Sequence, residues 1–367
     1  MNNFDKILEF LKDGLDKRCF DAVLIPVKVP AGDSYAWVLI KDKSLLQDAS
    51  PLPPIMGVQG AKALSSITRN GGRKKIAAVM RPCEIRAAVE LFKLEQIELK
   101  NIFLISIDCP GVLPLKEWLE NIDKGKDTFK KALEKWGSGN MREVCQMCYR
   151  FSMADTFQDL HIGIMKEKVL FIPNTSKGRD VLSELDITPP ADKDITEWKD
   201  KVKKIAEERK KKRKQAQSEL RTKVAGLDKL LDIFSRCINC HNCMRVCPIC
   251  YCRQCYFESE KVKYPPQDYL ARAEKQGALR FLPDTLLFHI GRMSHMTLSC
   301  ISCGTCEDAC PMEIPVAQVF SLVAEETQEL FDYRPGASID EPIPLATYRE
   351  EEFQEVEYSP KQEKRSA

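Results

Sequence analysis

The sequence predicts an α/β domain with a partly parallel sheet, a charged helical linker, and a mostly α-helical domain built round two cysteine runs. Three observations predict it. Strand and helix signals alternate over the first half, a run dense in Lys, Arg and Glu occupies Lys201 to Lys214, and the pattern C-x2-C-x2-C-x3-C-P occurs twice after residue 236. The expected boundaries are 1–190 for the α/β domain, 191–236 for the linker, 237–330 for the cysteine domain and 331–367 for an extended tail. Alternation of strand and helix is the mark of a layered α/β unit.

In chain order, Phe4, Ile7, Leu8, Leu11 and Leu15 recur at helical spacing. Ala22 to Val29 and Tyr35 to Lys41 read as strands joined by a Pro-Ala-Gly-Asp turn. Ala61 to Arg69 reads as a helix ended by Gly71-Gly72. Lys75 to Met80 is a buried strand, Glu84 to Leu94 a helix, and Asn101 to Ile107 a second apolar strand. Strand, helix and strand in that order give a parallel pair with a right-handed crossover.

The charged run has interleaved acidic residues and no accompanying aromatics, so it reads as a solvated helix face rather than a nucleic-acid or membrane surface. Leu220, Val224, Leu227, Leu230 and Leu231 then turn the same helix amphipathic.

The two cysteine runs are Cys237, Cys240, Cys243, Cys247 and Cys300, Cys303, Cys306, Cys310, each closed by a proline. This is the ligand run of bacterial two-cluster ferredoxins, in which three close thiolates hold one 4Fe-4S cube and the fourth cysteine ligates the other. Cys310 is therefore expected with the first run and Cys247 with the second. Two intervening residues aim successive sulfurs at neighbouring corners of a cube, and the proline fixes the backbone where the chain departs. A zinc site of four cysteines also uses C-x2-C pairs, but it needs two pairs, whereas each run offers three plus one. The 52 residues between Cys247 and Cys300, with a helical pattern at Pro283 to Leu298, resemble the α-helical ferredoxin module of heterodisulfide reductase and succinate dehydrogenase iron-sulfur subunits.

Bulk properties set the surroundings. The chain has 367 residues, enough for two or three domains with cores, and a net charge of +2, which argues against nucleic acid as partner. The first twenty residues carry charges among the apolar positions, and no stretch reaches a transmembrane span. Sixteen cysteines without a signal segment suit a reducing cytoplasm. Exposed clusters suit an anaerobe.

A second constellation lies in the first domain. Cys83 follows one strand and Cys109 follows the next, so neighbouring strands would bring both to the carboxyl edge of the sheet, where open α/β folds place ligands. Cys83 also opens a helix, whose amides favour an anion. Cys145 and Cys148 supply a C-x2-C pair, making four sulfurs, the number one cube needs.

The segments Arg81-Pro-Cys-Glu-Ile-Arg86, Ile107-Asp-Cys-Pro110 and Cys145-Gln-Met-Cys148, then Ala154-Asp155 and an Ile-Gly-Ile stretch at 162, resemble the beta subunits of coenzyme F-420-reducing hydrogenase and formate dehydrogenase. The attached cysteine module favours the formate dehydrogenase branch. The resemblance implies a third 4Fe-4S cluster on Cys83, Cys109, Cys145 and Cys148, beside FAD. It also implies an FAD loop ahead of a helix, whose best counterpart is Gly57-Val-Gln-Gly-Ala-Lys62, with Gly60, Lys62 and Ser65 as contacts and Arg81 adding a phosphate contact. That loop lacks a double glycine, and an ordinary loop entering a surface helix stands beside the phosphate reading.

Cys250, Cys252 and Cys255 follow the first run directly. They either hold a fourth cluster with a distant ligand such as His241 or Cys19, or replace a ligand of the run, or stand as free thiols. His161, His289 and His295 read as core or surface residues, and no catalytic triad or carboxylate pair occurs.

Two functions are compatible with this pattern. One is an electron-transfer oxidoreductase subunit that passes electrons between a two-electron donor or acceptor, FAD and several clusters, in a complex with formate dehydrogenase, hydrogenase or heterodisulfide reductase-like subunits. The other is a flavin-free iron-sulfur conduit with no substrate of its own.

Overall fold

Sheet formation in the first domain follows from three strands with no polar face. A computed structural model describes residues 3–69, 71–136, 139–153, 156–165, 168–262, 265–277 and 282–345. Its sheet has six strands: β1 (Ala22–Lys28), β2 (Tyr35–Ile40), β3 (Ile76–Met80), β4 (Ile102–Ile107), β5 (Leu160–Ile164) and β6 (Val169–Pro173), in the order β2-β1-β3-β4-β5-β6. Every residue of β3, β4 and β5 is buried, as parallel strands covered on both faces must be. β1, β3, β4 and β5 run parallel, and β2 and β6 close the two edges antiparallel. The expected partly parallel sheet is the one found.

Alternation along the strands divides the core in two. Val23, Ile25, Val79, Ile105 and Ile107 face the helix α1 (Asn3–Asp16), which buries Ile7, Phe10 and Leu11 against them. Leu24, Ala78, Met80 and Leu104 face α2 (Gly60–Thr68) and α3 (Pro82–Lys93), which contribute Leu64, Ile85, Ala88 and Leu91. The register sets Met80 opposite Ser106, so the chain leaves β3 and β4 side by side at one edge.

The charged segment forms the helix Asp192–Val224, but it is not solvated all round. Trp198 is fully buried, and Arg209 and Arg213 are 5% and 8% exposed. The Trp198 indole donates to Asp108 Oδ2 at 2.6 Å, tying the helix to the residue before Cys109. Asp108 also accepts from the Ile164 amide and pairs with His161, which is fully buried and bonded to Ser106. Gly226, at φ +93°, then breaks the run, and Leu227–Phe234 is a separate helix.

In the cysteine domain the helices Leu282–Met296 and Val316–Leu330 pack with Phe234 round the two runs, through Leu286, Phe288, Val319 and Phe320. The chain after 330 folds back on α3. Tyr333, 2% exposed, donates to Glu90 Oε1 at 2.7 Å, and the Gly336 amide donates to the same oxygen at 2.8 Å. The remainder of the expected tail, 346–367, lies outside the described residues, as do Ala154 and Asp155. No described helix is long and apolar enough to cross a membrane.

Candidate functional site

The two cysteine runs take the same backbone path. Asn239 and Ser302, each following the first cysteine by two, have φ of +54° and +56°; His241 and Gly304, each just after the second cysteine, have φ of +60° and +81°. Paired left-handed residues curl each loop tightly, and short helices, Asn242–Arg245 and Thr305–Asp308, then carry the third cysteine. Non-glycine residues in this region cost energy, which a loop wrapped on a ligand set can repay.

These loops sort the eight thiols into crossed sets. Cys247, Cys300, Cys303 and Cys306 line one cavity, with Met296 and Phe320. Cys300 is pushed up to about 12 by burial and then by the charge of Cys247. Cys243 is pushed up to about 11 by burial, drawn back by Arg292, and raised again by Cys237, Cys310 and Cys240. Thus Cys310 stands beside the first run and Cys247 beside the second. All sixteen cysteines are free thiols.

Donors surround the sulfurs. Arg292 Nη1 reaches Cys243 Sγ at 3.1 Å and His289 Nε2 lies 3.4 Å from Cys237 Sγ; the amides of Asn239 and Ile314 point at Cys237 and Cys310. Thr305 Oγ1 lies 3.3 Å from Cys303 Sγ. Such contacts suit sulfur ligands that carry charge. Burial that disfavours bare thiolates is offset when a metal supplies the positive charge. Among the described residues no three His, Cys, Asp or Glu side chains converge as ligands of a single ion. Cys247, Cys300, Cys303 and Cys306 line one shared space instead.

The four thiols of the first domain are also brought together. Cys83 is pushed well up by burial and by the charges of Glu84, Cys109 and then Cys303, and it packs against the same apolar cluster as Cys303 of the second run. Cys145 is pushed up to about 12 by burial, lowered by Arg142, and raised by Cys109 and Cys148. Gly111, at φ +122°, allows this approach: a Cβ there would stand 3.1 Å from that of Cys145. Arg142, 2% exposed, bridges the two domains by donating to the Cys303 and Met56 carbonyls and pairing with Asp308.

The loop expected to cradle a flavin phosphate is occupied by the fold itself. The Gly60 amide donates to Glu84 Oε1 at 2.9 Å and the Ala61 amide to Gln59 Oε1 at 2.7 Å. A Cβ on Gly60 would strike the Trp37 ring at 2.6 Å, so this glycine serves helix packing. Lys62 donates to the Arg245 carbonyl of the cysteine domain and Ser65 to the Gln96 carbonyl. Arg81 spends its guanidinium on Cys109 Sγ, at 3.0 Å, and on the Pro53 carbonyl. Gly57 is exposed with open space round it. These residues do not fit a phosphate.

Cys250, Cys252 and Cys255 have different surroundings. Cys250, lowered to about 7 by its hydrogen bond with Cys247, lies 3.8 Å from Arg292; Cys255 lies 3.9 Å from Met244 Sδ; Cys252 is exposed. His241 is taken by Glu258 and Asn239, and Cys19 bonds Glu184 away from the runs.

Sequence reasoning missed the arginines. Arg292 falls with Phe288, His289, Met293 and Met296 on the buried stripe of its helix, a placement that a helical wheel reveals although hydropathy hides it. Arg81 was singled out, but for a phosphate rather than a thiol.

A family model described as the 4Fe-4S dicluster domain matches residues 233–314, which hold all eight cysteines of the two runs. The cysteine domain is therefore a two-cluster 4Fe-4S domain. Over 370 residues the chain is 30% identical to the F420-dependent formate dehydrogenase subunit beta of Methanocaldococcus jannaschii, covering 90% of each chain. It is 31% identical over 376 residues to the F420-dependent formate dehydrogenase 1 subunit beta of Methanococcus maripaludis, again covering 90% of each. Since both matches take in the α/β domain as well as the cluster domain, the chain belongs to the family of F420-dependent formate dehydrogenase beta subunits.

Proposed function

We propose that the chain is the electron-relay subunit of an oxidoreductase complex, with three 4Fe-4S clusters held by Cys83/Cys109/Cys145/Cys148, Cys247/Cys300/Cys303/Cys306 and Cys237/Cys240/Cys243/Cys310. The observation that supports this reading is that Cys83 and Cys303 pack against the same apolar cluster, that of Ile85, Met153 and Ile301, so the sheet-edge set adjoins the dicluster domain. Clusters of this type accept and release single electrons. The chain's own residues hold the clusters apart from water, place them in sequence, and neutralise part of their charge through Arg81, Arg142 and Arg292.

The relatives' names make a formate-oxidising catalytic subunit the partner of choice at one end; hydrogenase or heterodisulfide reductase-like subunits are partners of the same chemistry. Sixteen free thiols suit the cytoplasm. Cys250, beside Cys247, is a spare thiol on this reading, and Cys252 and Cys255 hold no cluster. A flavin has no phosphate cradle at Gly57 to Lys62, so the relay is drawn through the thiolate-held clusters.

Iron and sulfide analysis of the anaerobically purified chain tests the proposal. About twelve irons per chain are expected, three cubes' worth, and about eight would remove the sheet-edge cluster.

A further inference from the structure

Three thiols follow the first run, and they have different neighbours. Cys252 is exposed, and Cys255 lies 3.9 Å from Met244 Sδ. Cys250 is hydrogen-bonded to Cys247, and the sulfur of each lies 3.9 Å from Met296 Sδ. The segment Cys247-Pro-Ile-Cys250 bends at Pro248 and Ile249, which brings its two ends together.

Cys247 is 6% exposed and shares a cavity with Cys300, Cys303 and Cys306, whereas Cys250 is half-buried and outside that lining. A fifth thiol beside a four-cornered cluster has no corner to fill. Its position is nevertheless fixed: Arg292 reaches Cys250 Sγ through Nη2 at 3.8 Å and Cys243 Sγ through Nη1 at 3.1 Å. Two thiols separated by two residues and already in contact form the pair from which a disulfide closes with little movement of the chain.

We propose that Cys247 and Cys250 form a disulfide when a hydroperoxide strips the cluster from Cys247. This rests on the relay reading, in which Cys247 holds an iron. While the cube is bound its iron occupies Cys247, and when that bond breaks the freed thiol faces Cys250. Hydrogen peroxide transfers an oxygen to Cys250, giving a sulfenic acid and one water. Cys247 Sγ then attacks that sulfur, forming the S–S bond and releasing a second water. The two thiols give up two electrons and two protons, and one peroxide becomes two waters. Thiols reverse this disulfide but not a sulfinic acid, so Cys250 keeps Cys247 fit to take a new cluster.

The test treats the anaerobically purified full chain, its iron intact, with hydrogen peroxide. Iron release is followed by absorbance, free thiols are alkylated, and the tryptic peptide from Val246 to Arg253, which holds Cys247, Cys250 and Cys252, is weighed. The unaltered chain is expected to yield this peptide with one alkyl group and an internal disulfide, and Cys252→Ser with the disulfide and no alkyl group. Cys250→Ser forms no such bridge. After dithiothreitol, iron and sulfide are supplied, it regains less than about half of the iron that the unaltered chain regains, because its Cys247 has gone on to the sulfinic acid. A fully alkylated peptide after the iron has gone, a bridge retained in Cys250→Ser or lost in Cys252→Ser, or equal regain of iron overturns the proposal. So does a Cys250→Ser chain with less iron than the unaltered chain before treatment, which would make Cys250 a ligand. A bridge that forms before any iron is released would instead overturn the relay reading's placing of Cys247 on a cluster.

Discussion

Arg81 donates through Nη1 to Cys109 Sγ at 3.0 Å, and both residues are buried at the carboxyl edge of the sheet. Arg81 caps α3 while Cys109 follows β4, so the contact joins the ends of two neighbouring parallel strands. A cation and a donor on a thiolate ligand stabilise the more negative, reduced form of a cluster. Arg81→Met is expected to lower the potential of the sheet-edge cluster by roughly 60–130 mV, the equivalent of a charge-assisted hydrogen bond of about 1.5–3 kcal/mol. A potentiometric titration followed by electron paramagnetic resonance measures this. An unchanged potential with loss of flavin would return Arg81 to the role of phosphate contact.

Arg292 makes the corresponding contact in the dicluster domain, but it serves two sets of thiols. It donates to Cys243 and acts electrostatically on Cys250, Cys247 and Cys306 as well. Arg292→Met should therefore lower the potentials of both dicluster centres together, by roughly the same 60–130 mV for the set that loses the hydrogen bond and by less for the other. Arg292→Lys keeps charge without the planar fork and should give a smaller shift. If only one centre moves, Arg292 does not lie between them as described.

Crossed ligation has its own signature. Cys247 belongs to the first run in sequence but shares a cavity with Cys300, Cys303 and Cys306. Cys247→Ser should alter the same resonance signal as Cys303→Ser and leave the signal altered by Cys240→Ser intact. If Cys247→Ser tracks Cys240→Ser instead, each run ligates its own cube. Cys250 lies against Cys247, so a milder loss of iron than in Cys303→Ser would mean that Cys250 substitutes for it.

The strands, the parallel pair and both cysteine runs were legible because their signals are local. β3 and β4 are unbroken apolar runs, and ligand spacing is written directly in the chain. What could not be read depends on which distant groups meet. Gly60 looks like a phosphate glycine until Trp37, on β2, is seen to need the space. Arg209 and Arg213 look solvated among their charged neighbours, although they reach the Cys148 carbonyl and Ser321 across the fold. The break at Gly226 was open to reading, since a glycine between two amphipathic stretches is a helix-ending signal.

The chain after residue 330 clasps α3, the helix that carries Cys83, and this attachment can be broken at a single position. Gly336 has φ +70°, and a Cβ there would stand 2.4 Å from Arg86 Cα, so Gly336→Ala meets both backbone strain and a clash with main chain. Left-handed strain of about 1–2 kcal/mol and overpacking of about 1–3 kcal/mol should detach residues 333–345, seen as faster amide hydrogen exchange there. High pH should do the same more gently. Burial, with Glu90 next, pushes the Tyr333 phenol up from its ordinary value of 10.0. The folded chain thus holds the proton where the unfolded chain releases it: the stabilisation is complete below pH 10 and falls as pH rises beyond it. Tyr333→Phe should weaken the clasp at neutral pH by about 0.5–1.5 kcal/mol through the lost hydrogen bond and flatten the dependence above pH 10. Exchange in 333–345 that is unaffected by Gly336→Ala, or equally pH-dependent in Tyr333→Phe, would show that the tail is held by other contacts.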